Sequence, residues 1–427
     1  MKVLRYTLRN FIVIVITITF GINTNGQGTI KTPKNQTVYV WNDYDSPTWI
    51  AIWEADAANW IDIYDSDAQR IGPATSNYNC HAYAWHVSDG GNDEDCWLDY
   101  DYFGSSNLQK YWTNDAYVST SSPNEFNKVF YGTNADHSAI STSSGVVKSK
   151  WGAWPLYQHE TTDCPYDNIS IAFYKIPISG DDLTCTSKTY STVNISNATY
   201  SWSGGRVSTS GYSYSTTATK TSDGKGWIHA EISSPYSGTT VKSEKKEIWV
   251  GVPVISEISG STYTPNNNWA TYYAEPNDYL MDADNYNWAL SPINGNVIYD
   301  YGWTADIAFY NSGSYQVYAQ AHNICGWGSY NVTGVEVYDN LSLSIFPNPT
   351  TEQASLTIES TSLEKSFDED TEWDLEIYDQ VQTLKEKKTK LRGKEQIVQT
   401  AGWREGVYFV RVKYKDKLLT GQLVVKQ

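Results

Sequence analysis

The sequence predicts a multidomain, mainly β protein: an α+β module first, two β-sandwiches after it, and a small β-sandwich at the C-terminus. Three observations lead there. A chain of 427 residues exceeds what one compact domain usually holds, so several modules are expected. Apolar residues recur at helical spacing only in two stretches near the N-terminus, at 48–64 and 80–86. Beyond Pro177, β-branched and aromatic runs separated by Gly, Ser, Asn and Asp turns recur at about the 8–12-residue spacing of antiparallel sandwiches. Composition agrees, with 34 Tyr and 18 Trp against two Met, the profile of half-buried strands.

Charge narrows the partners. Lys and Arg total 31 against 48 Asp and Glu, a net charge of −17, which argues against nucleic acid. At the N-terminus Lys2, Arg5 and Arg9 precede the apolar run Phe11–Ile22 and the polar NTNGQG. That order predicts a cleaved signal peptide over residues 1–27, because the run is short for a membrane-spanning helix. Export makes the five cysteines candidates for bridges, with one left over. Pairing Cys96 with Cys164 inside the first module keeps Cys80 out of any bridge, and Cys325 is either reduced or joined to Cys185.

The first module, 28–177, opens with a strand at Thr37–Trp41 and a helix over Thr48–Tyr64, whose Trp49, Ile52, Trp53 and Trp60 recur as a stripe expected to face the core. Next comes YNCHAYAWH, residues 78–86. Asn79 and the polar residues before it supply N-caps, Cys80 begins the helix, and Ser88 through Gly91 end it. A thiol at that position feels the positive end of the helix dipole, which favours thiolate and so nucleophilic chemistry. The acidic loop with Asp93, Asp95, Asp99 and Asp101 lacks the order of a calcium-binding loop and is expected to be a solvated surface. The segment from Asp136 to Gly152 predicts two antiparallel strands around a turn at Gly145, with His137, Ala139 and Ser141 on one face and Lys148, Ser149 or Lys150 brought beside His137. A strand-borne imidazole facing a helix-borne thiol would suit Cys–His catalysis, the imidazole taking the thiol proton and a third polar group holding its tautomer. His81 and His86 fall on other faces of the helix, as structural or substrate-facing residues. The spacings of Cys80, His81, His86 and His137 do not converge as metal sites do, so neither metal nor cofactor is expected.

These residues resemble a known family. A cysteine at a helix start, a histidine opening a strand and a polar residue in the hairpin partner are similar to papain-like NlpC-type and CHAP amidases. YNCHAYAWH with DHSAI, SKWG and a following His159 resembles exported Bacteroidetes proteins related to those hydrolases, over roughly residues 30–177. The resemblance implies a papain-like α+β fold in which Cys80 is the nucleophile and His137 the base. It puts Ser149 where the family carries a polar orienter, with His159 the other candidate, and assigns Asn79 and His81 to an oxyanion or substrate role.

Residues 178–254 hold Tyr200-Ser201-Trp202, which resembles the central strand of Ig-like modules. Residues 255–338 repeat the plan with Tyr286-Asn287-Trp288 and a late strand at 314–321, resembling a PKD-like or Ig-like module. Neither shows an acid–base pair, so each is expected to be a spacer or adhesion module. The last segment, 339–427, carries FPNPT at 346–350, GVYFVRV at 406–412 and a terminal LVVK. It resembles the type IX secretion C-terminal sorting domain, departing from it at Gln382, where the central turn commonly has Gly. That resemblance implies passage through the periplasm, handling by the type IX machinery, and a cell-surface or secreted destination. Two functions follow. One is a Cys–His hydrolase of an amide or peptide bond, peptidoglycan included; the other is a non-catalytic surface adhesin or glycan-binding protein that has kept a hydrolase-like first module.

Overall fold

A computed structural model describes residues 27–427 except 42–45, 65–66, 99–106, 133–136, 144, 163–169, 339–340, 361–369 and 416. The expected leader, Asp99, Asp101, Asp136 and Cys164 therefore lie outside the described residues. The described chain is mainly β, its strands divided among several sheets. By compactness it forms two units, Met1–Gly251 and Val252–Gln427.

In the first unit β1 (Gln27–Lys31), β2 (Thr37–Trp41) and the short β4 (Trp97–Leu98) form a small antiparallel sheet. The other strands of the first module are β3 (Gln69–Gly72), β5 (Val118–Thr120), β6 (Lys128–Tyr131), β7 (His137–Ser143), β8 (Val146–Lys150), β9 (Leu156–Glu160) and β10 (Ile171–Lys175). They make one antiparallel sheet in the order β3-β9-β8-β7-β6-β10-β5. The turn between β7 and β8 passes through Gly145 at φ +82°, a conformation that only glycine adopts without strain. Two helices accompany the sheet, α1 (Pro47–Tyr64) and α2 (Cys80–Trp85).

Pairing fixes the two faces of this sheet. Val129 lies opposite Ala139, Tyr131 opposite His137, Ser141 opposite Val147, and Val147 opposite His159. Directly opposed residues share a face, so these belong to one layer, and Lys128, Phe130, Ser138 and Lys150 belong to the other. Both layers are buried along β7, where His137, Ser138 and Ala139 are all 0% exposed.

Helix α1 departs from expectation. Trp49 is 47% and Ile52 41% exposed, so these two members of the expected stripe do not face the core. The helix is held instead through one turn, where Tyr157 Oη donates to Ala57 O at 3.3 Å and Ala74 N–H to Glu54 Oε2 at 2.8 Å. Trp49 covers itself by stacking on Trp53, with ring centroids 6.4 Å apart.

The second module packs a sheet of 178–179, 187–192, 215–220 and 207–210 against one of 183–184, 246–250, 224–233 and 199–205. Tyr200 and Trp202 alternate inward and are buried, as their spacing predicts. One buried apolar cluster runs from Val38, Ala82 and Trp85 in the first module to Trp202, Ile228 and Val250 in the second, so the two modules share a core. Cys185 and Cys325 are each held in a disulfide rather than reduced. Cys80 and Cys96 are outside any disulfide, which removes the expected bridge from Cys96. Its place is explained by packing: it is 1% exposed within the apolar cluster, and burial, followed by the charge of Asp93, pushes its thiol pKa up to about 12.

In the second unit a sandwich pairs the sheet of 257–260, 268–275, 304–309 and 297–300 with that of 263–265, 331–338, 313–323 and 285–291. The final module has its own core around Leu356, Trp373, Leu375, Val410 and Leu423. The FPNPT segment binds the terminal strand there. Val424 N–H donates to Asn348 Oδ1 at 2.8 Å, Thr350 N–H to Val424 O at 2.8 Å, and Lys426 N–H to Thr350 O at 2.8 Å. Gln382 occupies its turn at φ +63°, the left-handed region in which glycine would be unstrained.

Candidate functional site

Helix α2 starts where Asn79 stops being helical, at φ −98° and ψ −173°, with its Oδ1 accepting from Ala82 N–H at 3.0 Å. The same oxygen accepts from Leu98 N–H at 3.3 Å, and Nδ2 donates to Leu98 O at 3.0 Å. Both ends of the Asn79 amide thus take part in capping α2 and clamping it to β4. Cys80 follows as the first helical residue, 4% exposed.

Two buried lysines hold α2 at its two ends. Before it, Lys150 Nζ donates to the carbonyls of Thr75, Gly152 and Trp154 at 2.9, 3.0 and 2.5 Å, and lies 5.4 Å from the centre of the Tyr78 ring. Beyond it, Lys128 Nζ bonds Asp89 Oδ1 at 2.7 Å and Ser88 Oγ at 3.1 Å, while Tyr117 Oη donates to the other Asp89 oxygen at 3.0 Å. Burial lowers the Lys128 pKa, and the Asp89 charge opposes that shift. Neither lysine was read from the sequence as a support for α2. Only their place on the inner parity of β6 and β8 could have suggested it.

The strand side chain that meets α2 is Ser138. Its Oγ lies 2.9 Å from His81 Nδ1 and 3.1 Å from Trp85 Nε1, two helix residues four apart and therefore on one face. Alternation turns His137 to the other layer, where its ring centroid lies 5.2 Å from that of Tyr131. His137 pairs with Tyr131 of β6, and the β7–β8 ladder begins at Ile140. Burial, then the nearby imidazoles of His159 and His81, hold the His137 pKa well below the ordinary 6.5. The ring is neutral at pH 7, a proton acceptor rather than a standing imidazolium.

Ser149 and His159 are one unit. His159 Nε2 lies 2.7 Å from Ser149 Oγ, Trp151 Nε1 donates to the same hydroxyl at 3.1 Å, and His159 Nδ1 lies 2.8 Å from Glu160 O. A carbonyl can only accept, so in the neutral ring the proton is on Nδ1 and Ser149 donates to Nε2. The two candidates for the third position are therefore hydrogen-bonded partners. His86 is 3% exposed and its pKa is lowered by burial. Asp93 and Asp95 are exposed, and no cluster fit to hold a metal ion occurs among the described residues.

Comparison with known proteins locates two segments. Residues 344–426 match the family described as a secretion system C-terminal sorting domain. The protein is exported by the type IX secretion system, to the cell surface or beyond it. It is in this respect an exported Bacteroidetes protein whose final module engages the secretion machinery. Residues 69–173 match a domain of unknown function, DUF7689, a span that contains Cys80, His137, Ser149 and His159. No curated protein matches the chain. Among solved structures, chicken CNTN1 FN1–FN3 domains are 11% identical, covering 59% of this chain and 98% of that one at a TM-score of 0.24. Three N-terminal domains of the bacteriophage RB49 outer capsid protein Hoc are 10% identical over 59% and 98%, at 0.26. Latent PorU from Porphyromonas gingivalis is 10% identical over 59% and 33%, at 0.18.

Proposed function

We propose that the first module is a papain-like cysteine hydrolase of amide or peptide bonds, delivered to the cell surface, with Cys80 as nucleophile and His137 as general base. One observation supports this reading most. A capped helix that begins with Cys80 packs on the strand that begins with His137, and the residue next to Cys80, His81, is within electrostatic reach of His137. In the reaction Cys80 Sγ bonds to the carbonyl carbon, the thiol proton passes to His137 once the start of β7 turns its ring from the Tyr131 layer toward α2, and the same proton leaves with the amine as the C–N bond breaks. Water then cleaves the thioester and restores the thiol. Because His137 is neutral, it takes the proton during attack, while the positive end of the α2 dipole favours the developing thiolate.

Iodoacetamide labelling of the native exported chain tests the reading. Cys80 should be alkylated at pH 7 while Cys96, with its raised pKa, stays intact. His137→Gln should slow the Cys80 reaction about a hundredfold, and Cys80→Ala should abolish amine release from peptidoglycan fragments. A native Cys80 as inert as Cys96 would overturn the proposal.

A further inference from the structure

In the sandwich of 252–338, the sheet built from 257–260, 268–275, 304–309 and 297–300 turns its outer face to solvent. Alternation along 268–275 buries Ala270, Tyr272 and Ala274 and presents Trp269, Thr271 and Tyr273 outward. Pairing places Thr271 opposite Asp306 and Asp306 opposite Tyr299, so these share that face. Trp269 and Tyr299 meet with ring centroids 4.9 Å apart, and Tyr273 and Trp303 meet at 5.5 Å. All four rings remain between 37% and 47% exposed. Trp269 and Tyr273 are four residues apart on one strand, which separates the two aromatic pairs by about 14 Å. Between them the Thr271 hydroxyl donates to Asp306 Oδ1 at 2.6 Å.

We infer that this face binds a neutral polysaccharide chain. Large exposed aromatic rings on a soluble sandwich mark an interaction surface, and here they alternate with a hydrogen-bonding row instead of merging into an aliphatic patch. That pattern matches a pyranose chain, whose C–H faces stack on rings and whose hydroxyls donate to a carboxylate. Charge decides the class of glycan. Asp306 sits in the middle of the face and the chain carries a net −17, so an anionic polymer would be repelled. The site is independent of Cys80 and of any hydrolase activity.

Native gels of the full exported chain, cast with hydroxyethyl cellulose, xylan or galactomannan, test this. At least one polymer should retard the protein, and the retardation should fall at least tenfold in Trp269→Ala/Trp303→Ala. Trp327→Ala, an exposed ring on the other sheet of the same sandwich, should behave like the parent. All three substituted rings are at least one-third exposed, and an unchanged melting temperature confirms that the fold is kept. No retardation by any of the three polymers, or equal retardation of the double variant, would overturn the inference; retardation by a parallel carboxymethyl cellulose gel as strong as that by hydroxyethyl cellulose would do so as well.

Discussion

His137 shows how one buried side chain sets a property of the protein. Its folded-state pKa is lowered well below 6.5. Below pH 6.5 the unfolded chain therefore binds a proton that the native ring refuses, and stability falls as pH falls until the depressed native value is reached. One such group costs about 1.4 kcal/mol per pH unit in that window. His86 and His229 are shifted the same way, in both cases chiefly by burial, so the parent slope contains more than one proton's share. His137→Gln should remove one share and leave the others. Denaturant unfolding of the full chain at a series of pH values below about 6.5 reads this directly, and identical slopes for parent and variant would sink the assignment.

At the scale of elements, the positioning of α2 depends on the two lysines more than on its own six residues, since a helix so short is marginal in isolation. Lys150→Met would leave the carbonyls of Thr75, Gly152 and Trp154 without their common donor, at about 1–3 kcal/mol for each group that stays buried. Faster hydrogen exchange across residues 73–86 is the expected result. Exchange there as slow as in the parent would show that the helix is held by other contacts.

Much of this element was legible in the sequence. The N-cap at Asn79, the start at Cys80 and the hairpin turning at Gly145 all follow from local chemistry, which acts whatever the tertiary context. The layer to which His137 belongs was not legible. Alternation assigns residues to two sets, but naming the inner set requires one face to be polar, and both faces of β7 are buried. The exposure of Trp49 and Ile52 on α1 was missed for a related reason: helical periodicity shows that apolar residues line up, not that a partner surface covers them.

For the whole molecule, what was most legible was what the chain carries in short, specific motifs. FPNPT lies far in sequence from GVYFVRV and the terminal strand, yet the structure joins all three in one module with its own core. The last strand, Lys417–Val425, pairs along its full length with Gly406–Tyr414, and its end also bonds Asn348 and Thr350. Removing residues 418–427 would therefore open the core at Leu419, Leu423 and Val425 and strip the FPNPT segment of its partners. The module that engages the secretion machinery would lose its shape, while the first unit keeps its own core and disulfide-free Cys80. Cells expressing the truncated chain should retain it inside the outer membrane, whereas Cys80→Ala and Trp269→Ala/Trp303→Ala should reach the surface as the parent does. Surface proteolysis or antibody labelling of whole cells distinguishes the outcomes, and truncated protein appearing outside at the parental level would show that the terminal strand is dispensable for export.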